Sequence, residues 1–208
     1  MSGPSRQMPP AARPVRIVVA TGNRHKLDEL GSILGGIGLL PLPAGVELPP
    51  ETGETFAANA LIKARAAHAA TGMPVLADDS GIEARALDGR PGVRSARFAG
   101  DHATDDENLD LLIASLAGGS DRRVAYVCAL AYIAADGSET VTFGRCGGEL
   151  LAERRGSGGF GYDPAFVPDD TGAGDRRTMA ELDPAEKHAI SHRGRAARDL
   201  ARQQGWTG

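Results

Sequence analysis

MPVLADDSG, residues 73–81, joins an apolar stretch to two neighbouring acids, Asp78 and Asp79, and then to a serine and a glycine. The apolar stretch predicts a buried strand, and Ser80-Gly81 predicts a sharp turn after it. Both acids would then lie at the carboxyl end of the strand. Open α/β sheets bind ligands at that edge, and paired carboxylates suit a divalent cation or a base beside one. The sequence Asp-Asp-Ser-Gly is also ordinary turn chemistry, so this stretch alone leaves both interpretations open.

The segment before this stretch predicts a strand, a tight turn and two helices. Residues 15–20 (VRIVVA) form a β-branched run typical of a buried strand, and a turn at 21–23 follows. Apolar residues then recur at helical spacing: Leu27, Leu30, Leu34 and Ile37. Residues 41–54 are rich in proline and glycine and predict a loop, after which Thr55 can cap an alanine-rich helix that runs to about Thr71.

The segment after it predicts a helix, a hairpin and a last helix. Thr104 opens a helix with a capping-box pattern, and residues 123–134 and 139–145 flank an Asp-Gly turn as the strands of a hairpin do. A C-terminal helix is predicted over residues 184–202. We therefore predict an α/β fold in which helices flank a mixed central sheet, with two lobes and the active-site cleft between them.

The composition is that of a globular protein. Of 208 residues, 41% are hydrophobic and 24% are charged, which excludes a disordered chain. The formal net charge of −4 argues against nonspecific binding to nucleic acid, whose phosphates require a basic surface. No apolar run approaches the roughly 20 residues that span a bilayer, so no membrane association is predicted. Small anionic ligands stay compatible with this charge, because they need only a local cationic pocket.

The ends of the chain and its cysteines suggest a cytoplasmic protein. Residues 1–14 are rich in proline and small residues, lack the apolar core of a secretory signal, and predict a disordered tail before a single domain over residues 15–204. Cys128 and Cys146 belong to no CxxC motif or Cys/His cluster, which argues against structural zinc and suits a reducing compartment.

The turn at residues 21–26 is a candidate anion site. A strand runs directly into a helix there, and the first N–H groups of a helix favour negative charge. Thr21 and Asn23 add side-chain donors, and Lys26 lies in the first turn, within reach of a phosphate. A capped helix with a solvated Lys26 is the alternative. A Walker loop is excluded, because GxxxxGK[ST] occurs nowhere in the chain.

The second predicted helix carries Asn59 and Lys63 on one face, four residues apart. Lys63 is a candidate substrate-binding residue if it reaches a cleft, and otherwise its stem lies along the surface with its ammonium in water. Glu51, in the loop before this helix, is a candidate metal carboxylate, although an exposed loop glutamate is the simpler interpretation.

Residues 156–163, GSGGFGYD, contain a GxGxxG pattern that resembles a dinucleotide fingerprint. That fingerprint must open a helix, whereas Pro164 and Pro168 interrupt the segment after these glycines. A flexible backbone around a planar ligand is the better interpretation, with Phe160 or Tyr162 stacking on the ligand.

Basic residues cluster at the start of the last predicted helix. His188 and His192 have a spacing that zinc ligands use, but no cysteine or third histidine supports a zinc site. Lys187 and the His192-Arg193 pair are better candidates for binding an oxyanion or a base carbonyl. A solvated basic helix face is the alternative for this segment taken by itself.

Five segments taken together resemble one family over residues 15 to about 200. They are ATGNRHKLDEL, ETGETFAANALIKA, ADDSGIEARALDGRPGVRSAR, GSGGFGYDPAFVP and AELDPAEKHAISHRGRA. The family is that of the inosine triphosphate pyrophosphatases, the Ham1-like noncanonical purine nucleoside triphosphatases. The resemblance implies Mg²⁺-dependent hydrolysis of ITP, dITP and XTP to the monophosphate and pyrophosphate, by a homodimer with a mixed central sheet.

The resemblance also implies roles for individual residues. Asp79 would be the catalytic base and a metal ligand, with Asp78 supporting it and Ser80 touching substrate. The residues that would hold the triphosphate are Thr21, Gly22, Asn23, Arg24, His25 and Lys26. Those that would form the nucleoside pocket are Phe160, Gly161, Tyr162, Asp163, Lys187, His192 and Arg193. Many members have two acids before the TG of the second segment, whereas Pro50 replaces the first here, so a metal contact from the remaining Glu51 is doubtful.

Two other functions stay open from the sequence. A Maf-like pyrophosphatase would act on pyrimidine or modified nucleotides, and a panel of nucleotides would separate it from the first hypothesis. A non-catalytic nucleotide-binding module would bind ITP without Mg²⁺-dependent pyrophosphate release, although the Asp78-Asp79 pair argues against it.

Overall fold

The structure is a computed structural model and describes residues 16–206. The predicted disordered tail, residues 1–14, lies outside this range, as does Val15 at the start of the predicted domain over residues 15–204. That these residues form a single domain stays a prediction.

A six-stranded sheet forms the centre of the described residues. Its strands are β1 (Arg16–Val19), β2 (Gly38–Pro41), β3 (Val75–Ala84), β4 (Arg123–Ile133), β5 (Glu139–Leu150) and β6 (Phe166–Pro168). Their order is β2-β1-β3-β4-β5-β6, with β2, β1 and β3 parallel and the pairs from β3 to β6 antiparallel. The predicted α/β fold with a mixed central sheet is confirmed, and its division into two lobes stays a prediction.

Five α-helices flank this sheet within the described residues. They are α1 (Arg24–Ile33), α2 (Phe56–Thr71), α3 (Asp105–Ser115), α4 (Pro184–Ile190) and α5 (His192–Gln203). The predicted caps are confirmed: Thr55 accepts a hydrogen bond from the backbone N–H of Ala58, and Thr104 forms a capping box with Glu107. Helix α2 ends at Gly72, whose φ of 63° is the left-handed conformation that glycine adopts readily.

Strand β3 is longer than predicted, and the predicted turn at Ser80-Gly81 is wrong. The strand continues to Ala84, because every residue from Val75 to Ala84 pairs with β4. The parallel neighbour β1 pairs only with Val75 and Leu76. The two aspartates therefore lie inside β3 but beyond the carboxyl end of β1, which keeps them at the edge where ligands bind in open sheets.

The helices divide the core between the two sheet faces. Helix α2 packs its alanines against one face, in a cluster that contains Val75 and Ala77 of β3. Helices α1 and α5 cover the other face, in a cluster that contains Leu76. Successive residues of a strand point to opposite faces, so each face receives every second residue of β3.

The predicted single C-terminal helix is two helices that meet at Ser191. This residue has an extended backbone, with a ψ of 153°, and its hydroxyl accepts a hydrogen bond from the N–H of Gly194. It ends α4 and caps α5. His188 and His192 consequently do not share one helix face as the predicted zinc-like spacing requires.

Two further differences concern short elements. The helical spacing predicts that Ile37 continues the first helix, whereas α1 ends at Ile33 and the next residues lead into the edge strand β2. The glycine-rich segment opens no α-helix: a short 3₁₀ turn (Asp163–Ala165) and β6 come directly after it. The weak dinucleotide interpretation therefore lacks the helix that it requires.

Candidate active site

Asp78 and Asp79 point to opposite faces of the sheet, because they are neighbours within β3. The side chain of Asp78 meets Lys26 of α1 and Arg193 of α5, whereas that of Asp79 meets Asn59 and Lys63 of α2. The two acids thus belong to two different polar clusters, separated by the strand that carries them both.

Asp78 is buried, and one of its two oxygens meets two cations. Its Oδ2 accepts hydrogen bonds from Arg193 Nη2 at 2.9 Å and Ser80 Oγ at 3.1 Å, and Lys26 Nζ lies at 3.2 Å. Burial alone would raise the pKa of Asp78, but Lys26, Arg193 and Lys63 outweigh it and hold the pKa well below its usual range. Asp78 is therefore held as an anion that offsets the charges of the cations around it.

Asp79 has a different electrostatic environment. Its Oδ2 accepts a hydrogen bond from Asn59 Nδ2 at 3.0 Å and its Oδ1 one from the Ser80 N–H at 3.1 Å, while Lys63 Nζ is 3.7 Å from Oδ1. Burial raises the pKa of Asp79 and outweighs the opposing effect of Lys63. A carboxylate with a raised pKa is suited to accept a proton.

Lys63 joins Asp79 to the loop that carries Glu51. The Lys63 ammonium donates a hydrogen bond to Glu51 Oε1 at 2.6 Å and another to the backbone carbonyl of Asp78 at 2.8 Å. Its side chain is buried, so it does not lie along the surface in the alternative that the sequence leaves open. Glu51 therefore lies close to Asp79 even though Pro50 replaces the preceding acid, and the two carboxylates share one ammonium.

The turn at residues 21–26 is positioned partly as predicted. Asn23 Oδ1 accepts hydrogen bonds from the N–H groups of His25 and Lys26, so this side chain caps α1 and satisfies N–H groups that the anion-site prediction requires to be free. Thr21 Oγ1 accepts a hydrogen bond from the Asn23 N–H, which leaves its O–H group able to donate to a ligand as predicted. Gly22, Asn23 and Arg24 are exposed at the turn.

Phe160 covers a pair of cations at the mouth of the cleft. The Lys187 ammonium lies 5.1 Å from the centre of its ring and the Arg193 guanidinium 5.9 Å. The His25 imidazole stacks on the same ring at 5.6 Å. Tyr162, the other predicted stacking residue, is buried in the core and donates a hydrogen bond to the Ser95 carbonyl at 2.8 Å.

Asp163 anchors the aromatic segment to the sheet and to α4. It accepts hydrogen bonds from the Phe160 N–H, Tyr126 Oη and Lys187 Nζ, at 3.0, 3.0 and 2.8 Å. A Cβ on Gly159 would lie 2.2 Å from Asp163 Oδ2, so glycine is required for this close approach.

Glu29 and Tyr126 are site residues that sequence reasoning missed. Glu29 accepts a hydrogen bond from Lys187 Nζ at 2.8 Å and pairs with Arg193 Nη1. Burial would raise the pKa of Glu29, but Arg193 and Lys187 outweigh it and lower the pKa. The available signal was its position three residues after Lys26, on the same face of α1. No local pattern marks Tyr126, which lies within a long apolar strand.

His192 is a buried, neutral ring. It stacks on Tyr126 with ring centres 4.6 Å apart, and burial together with the neighbouring Arg193 lowers its pKa well below the usual value. Within residues 16–206 no group of three or more histidine, cysteine, aspartate or glutamate side chains is arranged to hold a metal.

A cleft on the Asp78 face brings most predicted nucleoside-pocket residues together. The predicted residues that line it are Asn23, Lys26, Ser80, Phe160, Gly161, Tyr162, Asp163, Lys187, His192 and Arg193. Asp79, Lys63 and Glu51 lie outside this lining, on the α2 face of β3. A ligand that contacts both groups must cross β3 beyond the end of β1, where the strand has no parallel neighbour.

Comparison with known proteins places this arrangement in a family. The sequence model of the Ham1 family matches residues 17–203. The chain belongs to the Ham1 family. This Ham1-family chain is 50% identical to the dITP/XTP pyrophosphatase of Mycolicibacterium paratuberculosis, over 88% of this chain and 93% of that one. It is 50% identical to the dITP/XTP pyrophosphatase of Frankia alni, over 90% and 96% of the two chains.

Solved structures of Ham1 proteins have the same fold. The Ham1 protein of Coxiella burnetii matches with a TM-score of 0.81 and 40% identity, over 92% of this chain and 98% of that one. The Ham1 protein of Staphylococcus aureus matches with a TM-score of 0.79 and 36% identity, over 91% and 98%.

Proposed function

We propose that this Ham1-family protein hydrolyses noncanonical purine nucleoside triphosphates, namely ITP, dITP and XTP, to the nucleoside monophosphate and pyrophosphate. The observation that carries the proposal is the position of Asp79, a carboxylate with a raised pKa, across one strand from a cleft capped by Phe160 over two cations. The dITP/XTP pyrophosphatases that are 50% identical over 88% and 90% of this chain support the same activity.

Mg²⁺ is the proposed cofactor, held by Asp79 and Glu51. The two carboxylates already flank a positive charge, since Lys63 Nζ is 2.6 Å from Glu51 and 3.7 Å from Asp79. This donor set fits Mg²⁺, which commonly uses one or two carboxylates and completes its shell with water and phosphate oxygens. When bound, the ion supplies charge neutralisation at the phosphates and a more acidic water.

The proposed chemistry is in-line attack of water on the α-phosphorus. Asp79 orients the water and takes its proton, while the bond from the α-phosphorus to the bridging oxygen breaks and pyrophosphate leaves. Lys63 lies beside Asp79, and Lys26 lies on the opposite face of β3, so a cation is available to the phosphates on each face of this strand.

Base selection is assigned to the cations under Phe160. Hypoxanthine and xanthine carry a 6-keto acceptor where adenine carries an amino donor. Lys187 and Arg193 supply donors at the cleft, where both already pair with Glu29. Adenine would place a donor against these donors, and a buried mismatch of that kind discriminates by orders of magnitude.

A nucleotide panel with product identification tests the proposal. We expect ITP, dITP and XTP to release pyrophosphate in the presence of Mg²⁺, and ATP, which lacks the 6-keto acceptor, to be a poor substrate. In isotopically labelled water the label should enter the monophosphate, because the α-phosphorus is attacked. Preference for dTTP or UTP would favour the Maf-like alternative. Binding without pyrophosphate release would favour the non-catalytic module.

A homodimer and a cytoplasmic location belong to the same proposal. Phe143 of β5 is 60% exposed, which leaves a large apolar side chain available to a second copy. Sedimentation of the purified chain would measure the oligomeric state. No helix in residues 16–206 is long and apolar enough to cross a membrane.

A further inference from the structure

Asn59 is a fully buried polar side chain with two specific partners. Its Oδ1 accepts a hydrogen bond from the Gly53 N–H at 2.8 Å, and its Nδ2 donates one to Asp79 Oδ2 at 3.0 Å. A backbone N–H can only donate, so the amide oxygen must face Gly53 and the NH₂ group must face Asp79. The amide therefore has one orientation, and it connects the loop before α2 to the carboxylate in β3.

The loop approaches Asn59 so closely that only glycine fits. A Cβ on Gly53 would lie 2.8 Å from Asn59 Oδ1 and 2.7 Å from the Cβ of Ala58. Gly53 is not among the glycines with positive φ, so space rather than backbone conformation requires glycine here. Gly53 lies two residues after Glu51. Its contact with Asn59 therefore also restricts the position of the Glu51 backbone, from which the carboxylate extends.

We infer that Asn59 is a positioning residue that joins Asp79 and the Glu51 loop into one unit, an inference that rests on the proposed function. Lys63, four residues further along α2, forms ion pairs with both Glu51 and Asp79. Helix α2 thus holds both acids with a neutral amide and an ammonium. The amide sets direction and the ammonium compensates charge.

Loss of this connection should affect the chemical step more than substrate binding. One oxygen of Asp79 would lose its only side-chain amide donor, and the Glu51 loop would lose the hydrogen bond from Gly53 to α2 while keeping that from Lys63 to Glu51. A displacement of about 1 Å in a catalytic group costs up to about 100-fold in rate. The nucleoside pocket lies on the opposite face of β3 and keeps its contacts.

Three variants separate positioning from simple loss of stability. Asn59→Leu has similar size and removes both hydrogen bonds. Gly53→Ala presses a methyl group against Asn59 Oδ1 and the Ala58 Cβ, and disturbs the loop contact while the Asn59 amide is kept. Thr142→Val is the matched control, because it removes a buried hydrogen bond from Thr142 Oγ1 to the Ala196 carbonyl, 2.8 Å long, that touches neither acid.

The measurements are steady-state hydrolysis of ITP and amide hydrogen exchange of residues 49–55 without substrate or metal. For Asn59→Leu we expect kcat to fall about 10- to 100-fold while KM changes less than about 3-fold. Exchange in the loop should be faster in Asn59→Leu and Gly53→Ala than in wild type. Thr142→Val should lower the melting temperature and leave kcat and loop exchange as they are.

A kcat of Asn59→Leu equal to that of Thr142→Val would overturn the inference, as would wild-type loop exchange in Gly53→Ala. A wild-type protein that releases no pyrophosphate would instead reject the proposed function. Loop exchange needs no turnover, so in that case it still decides whether Asn59 holds the loop.

Discussion

At the scale of single residues, the pKa values of two adjacent aspartates are shifted in opposite directions. Asp78 accepts a hydrogen bond from Arg193 of α5 and forms an ion pair with Lys26 of α1, and its pKa lies well below the usual range. Asp79 has fewer cationic contacts, and burial raises its pKa. The difference arises from strand alternation, which sends one side chain toward α1 and α5 and the other toward α2.

Replacement of Asp79 should therefore affect turnover, whereas replacement of Asp78 should affect the stability of the fold. Asp79→Asn should lower the turnover of ITP at least about 100-fold and change the melting temperature little, because a positioned base is lost while shape is kept. Asp78→Asn should destabilise the fold by about 3–5 kcal/mol, because Arg193 and Lys26 lose their buried counter-charge. Pyrophosphate release and chemical denaturation measure the two effects. Near-normal turnover in Asp79→Asn would remove that residue from the role of base.

At the scale of elements, the contact between β5 and α5 sets the position of Arg193. A Cβ on Gly144 would lie 1.9 Å from the His192 carbonyl oxygen and 2.8 Å from the Ala196 nitrogen, both backbone atoms of α5. The helix that carries His192 and Arg193 therefore rests directly on the strand, and glycine at position 144 is what permits this contact.

Gly144→Ala should displace α5 and disturb the cleft. We expect a loss of about 1–3 kcal/mol of stability, typical of an overpacked core, together with weaker binding of ITP. Gly147→Ala is the control on the same strand, because its Cβ would meet the end of the Asp169 side chain, which can move, at 2.9 Å on the other face. Denaturation and KM measurements check both variants. Equal effects of the two variants would contradict the close contact with α5.

Elements with strong local signals could be predicted from the sequence. The caps at Thr55 and Thr104 begin helices where expected, since a capping side chain and its N–H partners lie within one turn. The break at Ser191 was not predicted, because the residues around it suit a continuous helix, although Ser191 itself carries the local signal of an N-cap residue. The edge strand β2 was missed because Ile37 continues the helical spacing of α1.

The candidate site was predictable as a set of residues but not as a geometry. Sequence patterns identified the residues around Lys26, Asp79, Phe160 and Arg193. In the structure these residues lie around strand β3, on one or the other of its two faces. The partition by β3 depends on the strand continuing past Ser80, and that continuation depends on long-range pairing with β4. Glu29 pairs with cations more than 150 residues away, which no local pattern reveals.

At the scale of the whole molecule, acid should destabilise the fold through His192. Its pKa in the folded protein is lowered, so the unfolded chain binds a proton first as the pH falls below about 6.5. The stability that neutral His192 contributes is complete above that pH and is lost as the pH falls toward the folded value. The slope reaches about 1.4 kcal/mol per pH unit for one such group.

His192→Phe should remove this part of the pH dependence. The variant keeps a ring against Tyr126 but has no titrating group, so its stability should change less between about pH 7 and about pH 5 than that of the wild type. Denaturant unfolding at a series of pH values measures the slope. His102→Gln, at an exposed histidine outside the cleft, is the control and should keep the wild-type slope. An unchanged slope in His192→Phe would assign the acid sensitivity to other groups.

Strand β3 separates the two polar clusters, and whether a residue of β3 faces one cluster or the other depends only on whether its position is odd or even. Inserting one residue between Leu76 and Asp78 would swap the sides, turning the first acid toward Lys63 and the second toward Arg193. Length changes within this strand should thus be far more harmful than equal changes in the proline-rich loop before α2, upstream of Glu51. Variation in length among relatives should accordingly be concentrated there, away from the acidic pair.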